Sequence, residues 1–238
     1  MILVIGGTRG TGLLIARLLH QRGRAVRVLA RDPIAARSRL DQAIEVIPGD
    51  ITVPATLPAA FHQVEDVIFT AGCRSGRFAT EPKIKATEYG GVVNVIEAAL
   101  TAGMSGRLLY MTASGATRES LFSRVLNLYK GNTLRWRSKA EAAIRSSGLD
   151  YTIIRAGVLF NRPVGVRPIL VTQRALPLSI RYRISRGDVA EAFVAAHGSQ
   201  RLSGATIEVV WGSKGKRLPW DRIFADVRPD SDVSLSRL

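Results

Sequence analysis

Three glycines near the N-terminus, Gly6, Gly10 and Gly12, are spaced as G-x-x-x-G-x-G, with Thr8, Arg9 and Thr11 between them. At a turn from a strand into a helix, such glycines do one job: they seat a pyrophosphate against bare backbone. Gly6 permits the tight exit from the strand, Gly10 lets the backbone approach the phosphates, and Gly12 lets the helix pack close to the sheet. The phosphates then face free N–H groups and the positive end of the helix dipole. The flanks supply that context. Ile2-Leu3-Val4-Ile5 reads as a buried parallel strand, and the apolar residues from Leu13 to Leu19 recur at helical spacing.

A second group of residues selects the nucleotide. The next strand, Ala25 to Ala30, closes a βαβ unit, and a site for NAD(H) would end it with Asp or Glu to hold the ribose hydroxyls. Here that place is held by Ala30, followed by Arg31. Arg9 and Arg31 together could clamp a 2′-phosphate through bidentate, charge-assisted bonds, so NADP(H) is expected over NAD(H). Asp32 is the nearby carboxylate; with Pro33 after it, it reads as a helix N-cap. Arg37 is a weaker third candidate for the phosphate. Asp50, after a strand at Ile44 to Pro48, is placed to accept from an adenine amino group with Ile51 packed on the ring, and reads equally well as a turn aspartate. Ala71 and Gly72 end a fourth strand, where small residues let the backbone run beside a ribose.

The elements that must position these residues alternate along the chain. Further strands are expected at Arg107 to Thr112, Tyr151 to Arg155 and Thr206 to Val210. Helices are expected at 85–103, 134–147, 187–196 and near 220–227. Short buried strands alternating with helices imply a doubly wound α/β Rossmann fold, a parallel sheet of about seven strands with helices on both faces. Residues 1–238 are expected to form a single domain, with 157–186 as a small elaboration facing a substrate or partner; regularity fails from 160 to 186.

The chain of 238 residues is 46% hydrophobic, enough for one substantial core. Its single cysteine, Cys73, excludes an internal disulfide framework and a Cys-based structural metal site, and no metal site is expected from its three scattered histidines. With no apolar run of membrane-spanning length and an N-terminus that enters a strand directly, a cytoplasmic protein without a membrane segment is expected. The net charge is +15; of 34 basic residues six are lysines, leaving 34 − 6 = 28 arginines. They are dispersed from residue 9 to residue 237 without interleaved aromatics, so no specific nucleic-acid site is expected.

Read together, VIGGTRGTG, LARDP, PGDIT, EYGGVVNVIEAALTAG, RWRSKAEAAIRSSGLDYTIIRAG and RGDVAEAF resemble, in order, the short-chain dehydrogenase/reductase superfamily, in its atypical NmrA-like NAD(P)H-binding branch. The resemblance implies backbone contacts from Ala156, Gly157 and Val158 to the nicotinamide end. Catalytically typical members carry Y-x-x-x-K on the helix before strand six, where the lysine lowers the tyrosine pKa and the tyrosine exchanges a proton with the substrate oxygen. Lys139 matches that lysine, and Ser114 or Thr112 stands for the helping serine. Four residues before Lys139 stands Arg135, a guanidinium that cannot serve as the acid. Lys139 is therefore expected to hold the nicotinamide ribose, with Ser114 beside the substrate. Tyr89, Tyr110 and Tyr129 are the candidate substitute acids.

Three readings stay open. One is an oxidoreductase passing electrons from NADPH to a small molecule that needs no tyrosine, such as a quinone, a flavin or an activated carbonyl. Another is a non-catalytic NADP(H)-binding redox sensor or assembly factor with a protein partner. The third is a nucleic-acid-binding protein using its basic surface.

Overall fold

The computed structural model describes residues 1–73, 80–118, 120–129, 131–213 and 215–233. Its first half runs β1 (Ile2–Ile5), α1 (Gly10–Gln21), β2 (Val26–Ala30), α2 (Pro33–Arg37), β3 (Glu45–Pro48), β4 (Asp66–Phe69), α3 (Glu81–Lys85), α4 (Gly91–Thr101) and β5 (Arg107–Ala113). The second half runs α5 (Leu121–Tyr129), α6 (Thr133–Arg145), β6 (Asp150–Ala156), β7 (Val158–Phe160), β8 (Ile169–Thr172), β9 (Arg183–Ser185), α7 (Arg186–His197), β10 (Ala205–Trp211) and α8 (Trp220–Ile223).

The two-residue period of a strand decides the layers. In β1, Ile2 and Val4 face one side, packing with Ile15, Ala16 and Leu19 of α1 and Val189, Ala190 and Phe193 of α7. Leu3 and Ile5 face the other side, packing with Val92, Val95 and Ile96 of α4 and Ala140 and Ile144 of α6. Two cores result, one on each face of the sheet. The order is β3-β2-β1-β4-β5-β6-β10-β8, parallel throughout except for the last pair. The chain leaves β1 toward β2 and β3, then returns to β4 on its other side. That reversal opens a crevice beyond the carboxyl ends of β1 and β4, the place where ligands of open α/β sheets bind.

Four features differ from expectation. The sheet has eight strands rather than about seven, because Ile169–Thr172 pairs antiparallel with β10 at the edge. A four-residue apolar run with no helical period gives no local sign of such a distant partner. Within 160–186, β9 also pairs with β7 in a separate parallel ribbon. The helix expected over 85–103 is divided by a π-helical segment, Ala86–Gly90, before α4 begins. The helix expected near 220–227 lasts one turn, Trp220–Ile223.

Candidate functional site

Beyond β1 and β4 lies a cleft of about 690 Å³. Gly6, Thr8, Arg9, Gly10, Thr11, Gly12, Arg31, Asp50, Ile51, Ala71 and Gly72 all line it. The glycine turn is fixed by contact. Gly6 has a φ of +87°, and a side chain there would place its Cβ 2.6 Å from the Ala71 nitrogen. At Gly12 a Cβ would lie 2.3 Å from both the Gly6 oxygen and Thr70 Oγ1, so only glycine lets α1 start this close to β1 and β4. Thr11, in the first turn of α1, is 4% exposed, and its hydroxyl has no hydrogen-bond partner within the structure. A buried donor left unpaired at a helix N-terminus suits an anionic oxygen arriving from outside the chain. Among the described residues, Arg9, Arg31, Lys83 and Arg186 line the cleft with Asp50 as the one carboxylate, so its field favours a polyanion.

The neighbours of this loop hold it from behind. Asp32 caps α2 by accepting from the Ala35 backbone at 2.9 Å, which removes it from the ligand face. Arg37 is likewise committed elsewhere: it donates to the Ile44 carbonyl at 2.6 Å. Asp50 lines the cleft and also closes its own turn, accepting from the Thr52 nitrogen and hydroxyl at 2.9 and 2.8 Å. Asn94 of α4 donates to the Ile51 carbonyl at 2.7 Å, so this helix fixes the loop that carries Asp50.

Two cationic cleft residues were not among the sequence candidates. Arg186, the first residue of α7, donates to Asn161 Oδ1 at 2.9 Å, and its Nε lies 4.0 Å from where a Cβ of Gly10 would be. It spans from the glycine turn to the segment after β7. Its neighbours in RGDVAEAF gave the visible signal, but that stretch reads as a capped helix. Lys83 of α3 lines the same cleft from the opposite side.

Lys139 and Ser114 stand elsewhere. Lys139 is exposed, with Nζ 4.8 Å from the centre of the Trp136 ring, and does not line the cleft. The inward position of α6 belongs to Arg137. Residues two apart on a helix point in nearly opposite directions, and periodicity alone does not fix which of the two turns inward. Arg137 pairs with Glu88 at 3.0 Å, and Glu88 accepts from the Cys73 backbone at 2.9 Å. The π-helical turn puts Glu88, 2% exposed, beside Gly72.

Ser114 is fully buried and donates to Glu208 Oε2 at 2.6 Å. Glu208 also accepts from the Leu176 backbone at 3.2 Å and faces Arg155 at 3.8 Å, while Arg155 binds Glu141 at 2.6 Å. Burial raises the Glu208 carboxyl to about 7; Ser114 and Arg155 oppose it only in part. Over this network folds the segment 176–182. A Cβ at Gly115 would meet Leu178 at 2.7 Å, and one at Gly157 would meet the Tyr182 carbonyl at 2.5 Å. Val158 donates its N–H to that carbonyl at 2.8 Å, and Ala156 accepts from the Ser114 nitrogen at 3.0 Å. Ala156, Gly157, Val158 and Thr112 are thus absent from the cleft lining; Thr112 is 2% exposed, with its hydroxyl unpartnered.

The candidate acids fare no better. Tyr110 is 1% exposed, and burial pushes its hydroxyl well above the ordinary tyrosine range. Tyr89 stacks 6.0 Å from Trp136 outside the cleft lining. The side chain of Tyr129 lies outside the described residues.

Comparison with known proteins agrees with this geometry. Residues 6–199 match a family model described as NAD(P)H-binding. Sanguinarine reductase of Eschscholzia californica is 32% identical over 250 residues, covering 90% of this chain and 89% of that protein. Among solved structures, a putative NAD-dependent epimerase/dehydratase from Bacillus halodurans superposes with a TM-score of 0.76 at 21% identity, covering 93% and 97% of the two chains. ChuY, an anaerobillin reductase from Escherichia coli O157:H7, gives 0.75 at 22% identity, covering 90% and 98%.

Proposed function

The chain belongs to the NAD(P)H-binding family, in the atypical NmrA-like branch of the short-chain dehydrogenases, and from that premise we propose that it is an NADP(H)-dependent reductase of a small molecule. One observation carries the nucleotide preference. Arg31 is exposed on the cleft wall directly after Ala30, and the nearest carboxylate, Asp32, is turned away to cap α2.

The residues fit the cofactor in four places. Arg9 and Arg31 hold the 2′-phosphate. The glycine backbone, Thr11 and Arg186 hold the pyrophosphate, with the α1 dipole behind them. Asp50 and Ile51 serve the adenine, and Ala71 and Gly72 lie along the nicotinamide ribose. When bound, the cofactor supplies a hydride. The chain's own contribution is orientation, because Arg135 stands where the family places its acid and Ser114 is spent on Glu208. Acceptors that take a proton from water suit such a site: a quinone, a flavin or an activated carbonyl. The resemblance to sanguinarine reductase along nine-tenths of the chain supports the reductase reading.

Titration with NADPH and NADH tests the first half. NADPH should bind at least about tenfold tighter, and Arg9→Ala with Arg31→Ala should erase the difference, each charge-assisted bond being worth about 1.5 to 3 kcal/mol in favourable cases. Equal affinities in the unaltered chain would remove the 2′-phosphate clamp. The second half is tested by NADPH oxidation against quinones, flavins and enones. Tight NADPH binding without turnover on any of them would leave a cofactor-responsive binding protein.

A further inference from the structure

Helix α5 is inside out. Two of its polar side chains face the protein: Ser123 is 1% exposed and accepts from the Ser120 backbone at 2.7 Å, and Asn127 Oδ1 accepts from the Leu134 backbone at 3.0 Å. Its apolar side chains face away. Leu121 is 83% exposed, Phe122 58%, Val125 51% and Leu128 84%. The spacing 121, 125, 128 makes one continuous stripe. Inverting a helix in this manner leaves large apolar side chains in water, which a monomer rarely does without a partner.

The surroundings of the stripe are basic. Arg118, just before α5, Arg124 within it and Arg174 and Arg181 on the 174–181 segment are all exposed, and between 156 and 187 the sequence holds six arginines and no carboxylate. The two stretches meet. Arg118 donates to the Ala175 carbonyl at 3.3 Å and Ser120 to the Leu178 carbonyl at 3.3 Å, which brings exposed Ile180 and Arg181 next to the start of α5. Apolar side chains beside exposed arginines match one occupant: an interface of acyl chains beneath anionic headgroups, with the long basic side chains reaching up to the phosphates. A second copy of this chain is disfavoured, because two proteins of charge +15 repel. No helix among the described residues is long and apolar enough to cross a membrane, so the contact is a helix lying on the surface.

We infer that α5 with the 174–181 segment is a docking surface for anionic lipid bilayers. It is independent of turnover, and its test needs no substrate. The full chain would be sedimented with phosphatidylcholine vesicles, with and without phosphatidylglycerol. Binding should rise at least about tenfold when the anionic lipid is present, and fall back in high salt, since basic residues at such a surface are attracted by a potential that salt screens. Leu121→Asp with Leu128→Asp should abolish it while leaving the melting temperature and NADPH affinity unchanged, both side chains being more than 80% exposed. Val166→Asp, at a 71% exposed residue outside α5 and the 174–181 segment, is the control and should bind as the unaltered chain does. Failure to sediment with the anionic vesicles, equal binding to both compositions, or full binding by the double variant would overturn the inference; capture of a protein through the same stripe, without lipid, would replace it.

Discussion

The ends of β1, β2 and β4 differ in material from the ends of β5, β6 and β10. The first group ends in backbone and small residues, Gly6, Gly10, Gly12, Ala71 and Gly72, around an open cleft. The second ends in side chains wired to each other, Ser114 to Glu208 and Arg155 to Glu141, beneath a strap at 176–182. Backbone N–H groups suit any pyrophosphate, so the first end serves a whole family. A buried network of charges is closed to ligands, and here it has absorbed the serine that the resemblance offers to catalysis. Binding and chemistry are therefore separable in this protein, and variants at the two ends should show different symptoms.

The largest effect belongs to the wired end. Arg155→Met takes the 2.6 Å partner from the fully buried Glu141, leaving it Arg145 at 3.2 Å, and should cost about 3 kcal/mol in denaturant unfolding. NADPH affinity of the folded protein should hold; its loss would show that the two ends are coupled. Arg137→Ala leaves Glu88 without its partner beside Gly72 and should cost roughly 2 to 3 kcal/mol, less because Arg137 keeps some solvent contact. Gly12→Ala brings the symmetrical outcome at the open end. Its Cβ would lie 2.3 Å from Gly6 and Thr70, so a stability loss of about 1 to 3 kcal/mol should accompany a fall in nucleotide affinity of roughly a hundredfold. An unchanged dissociation constant would move the pyrophosphate away from this turn.

A smaller effect separates the ends by pH. The Glu208 carboxyl is raised to about 7 from an unfolded value near 4.5, so the folded state holds a proton that the unfolded state releases between those values. Stability contributed by this group is complete below 4.5, declines as pH rises and is gone above about 7. Melting curves of Glu208→Gln should lack that decline, and a difference curve flat across the window would contradict it. Smallest of all is Lys139→Ala, expected to change stability by at most about 1 kcal/mol, the worth of an exposed cation–π contact. Nucleotide affinity should not respond; a tenfold loss would return Lys139 to the cofactor.

The pattern of the chain made the open end legible because its function is local. A strand, a glycine turn and a helix lie within twenty residues, and steric demands on Gly6 and Gly12 can be stated from spacing. Ala30 and Arg31 are similarly adjacent to the strand that presents them. The other end was not legible, for its partners are distant: Ser114 and Glu208 are separated by 94 positions, and Arg186 reaches back to a loop at Gly10. Lys139 shows the limit most plainly. It matched a motif by spacing, but two residues along a helix decide which side faces the sheet, and packing of Arg137 against Glu88 took that side.

By itself the sequence determined the doubly wound sheet and the glycine turn between β1 and α1, since strand alternation and glycine sterics act within a few residues. Tertiary structure alone decided the eighth strand, the strap over Gly115 and Gly157, the engagement of Ser114 and the outward face of α5. Each of these depends on which remote surface an element meets, and pairing across the fold leaves no period in the chain.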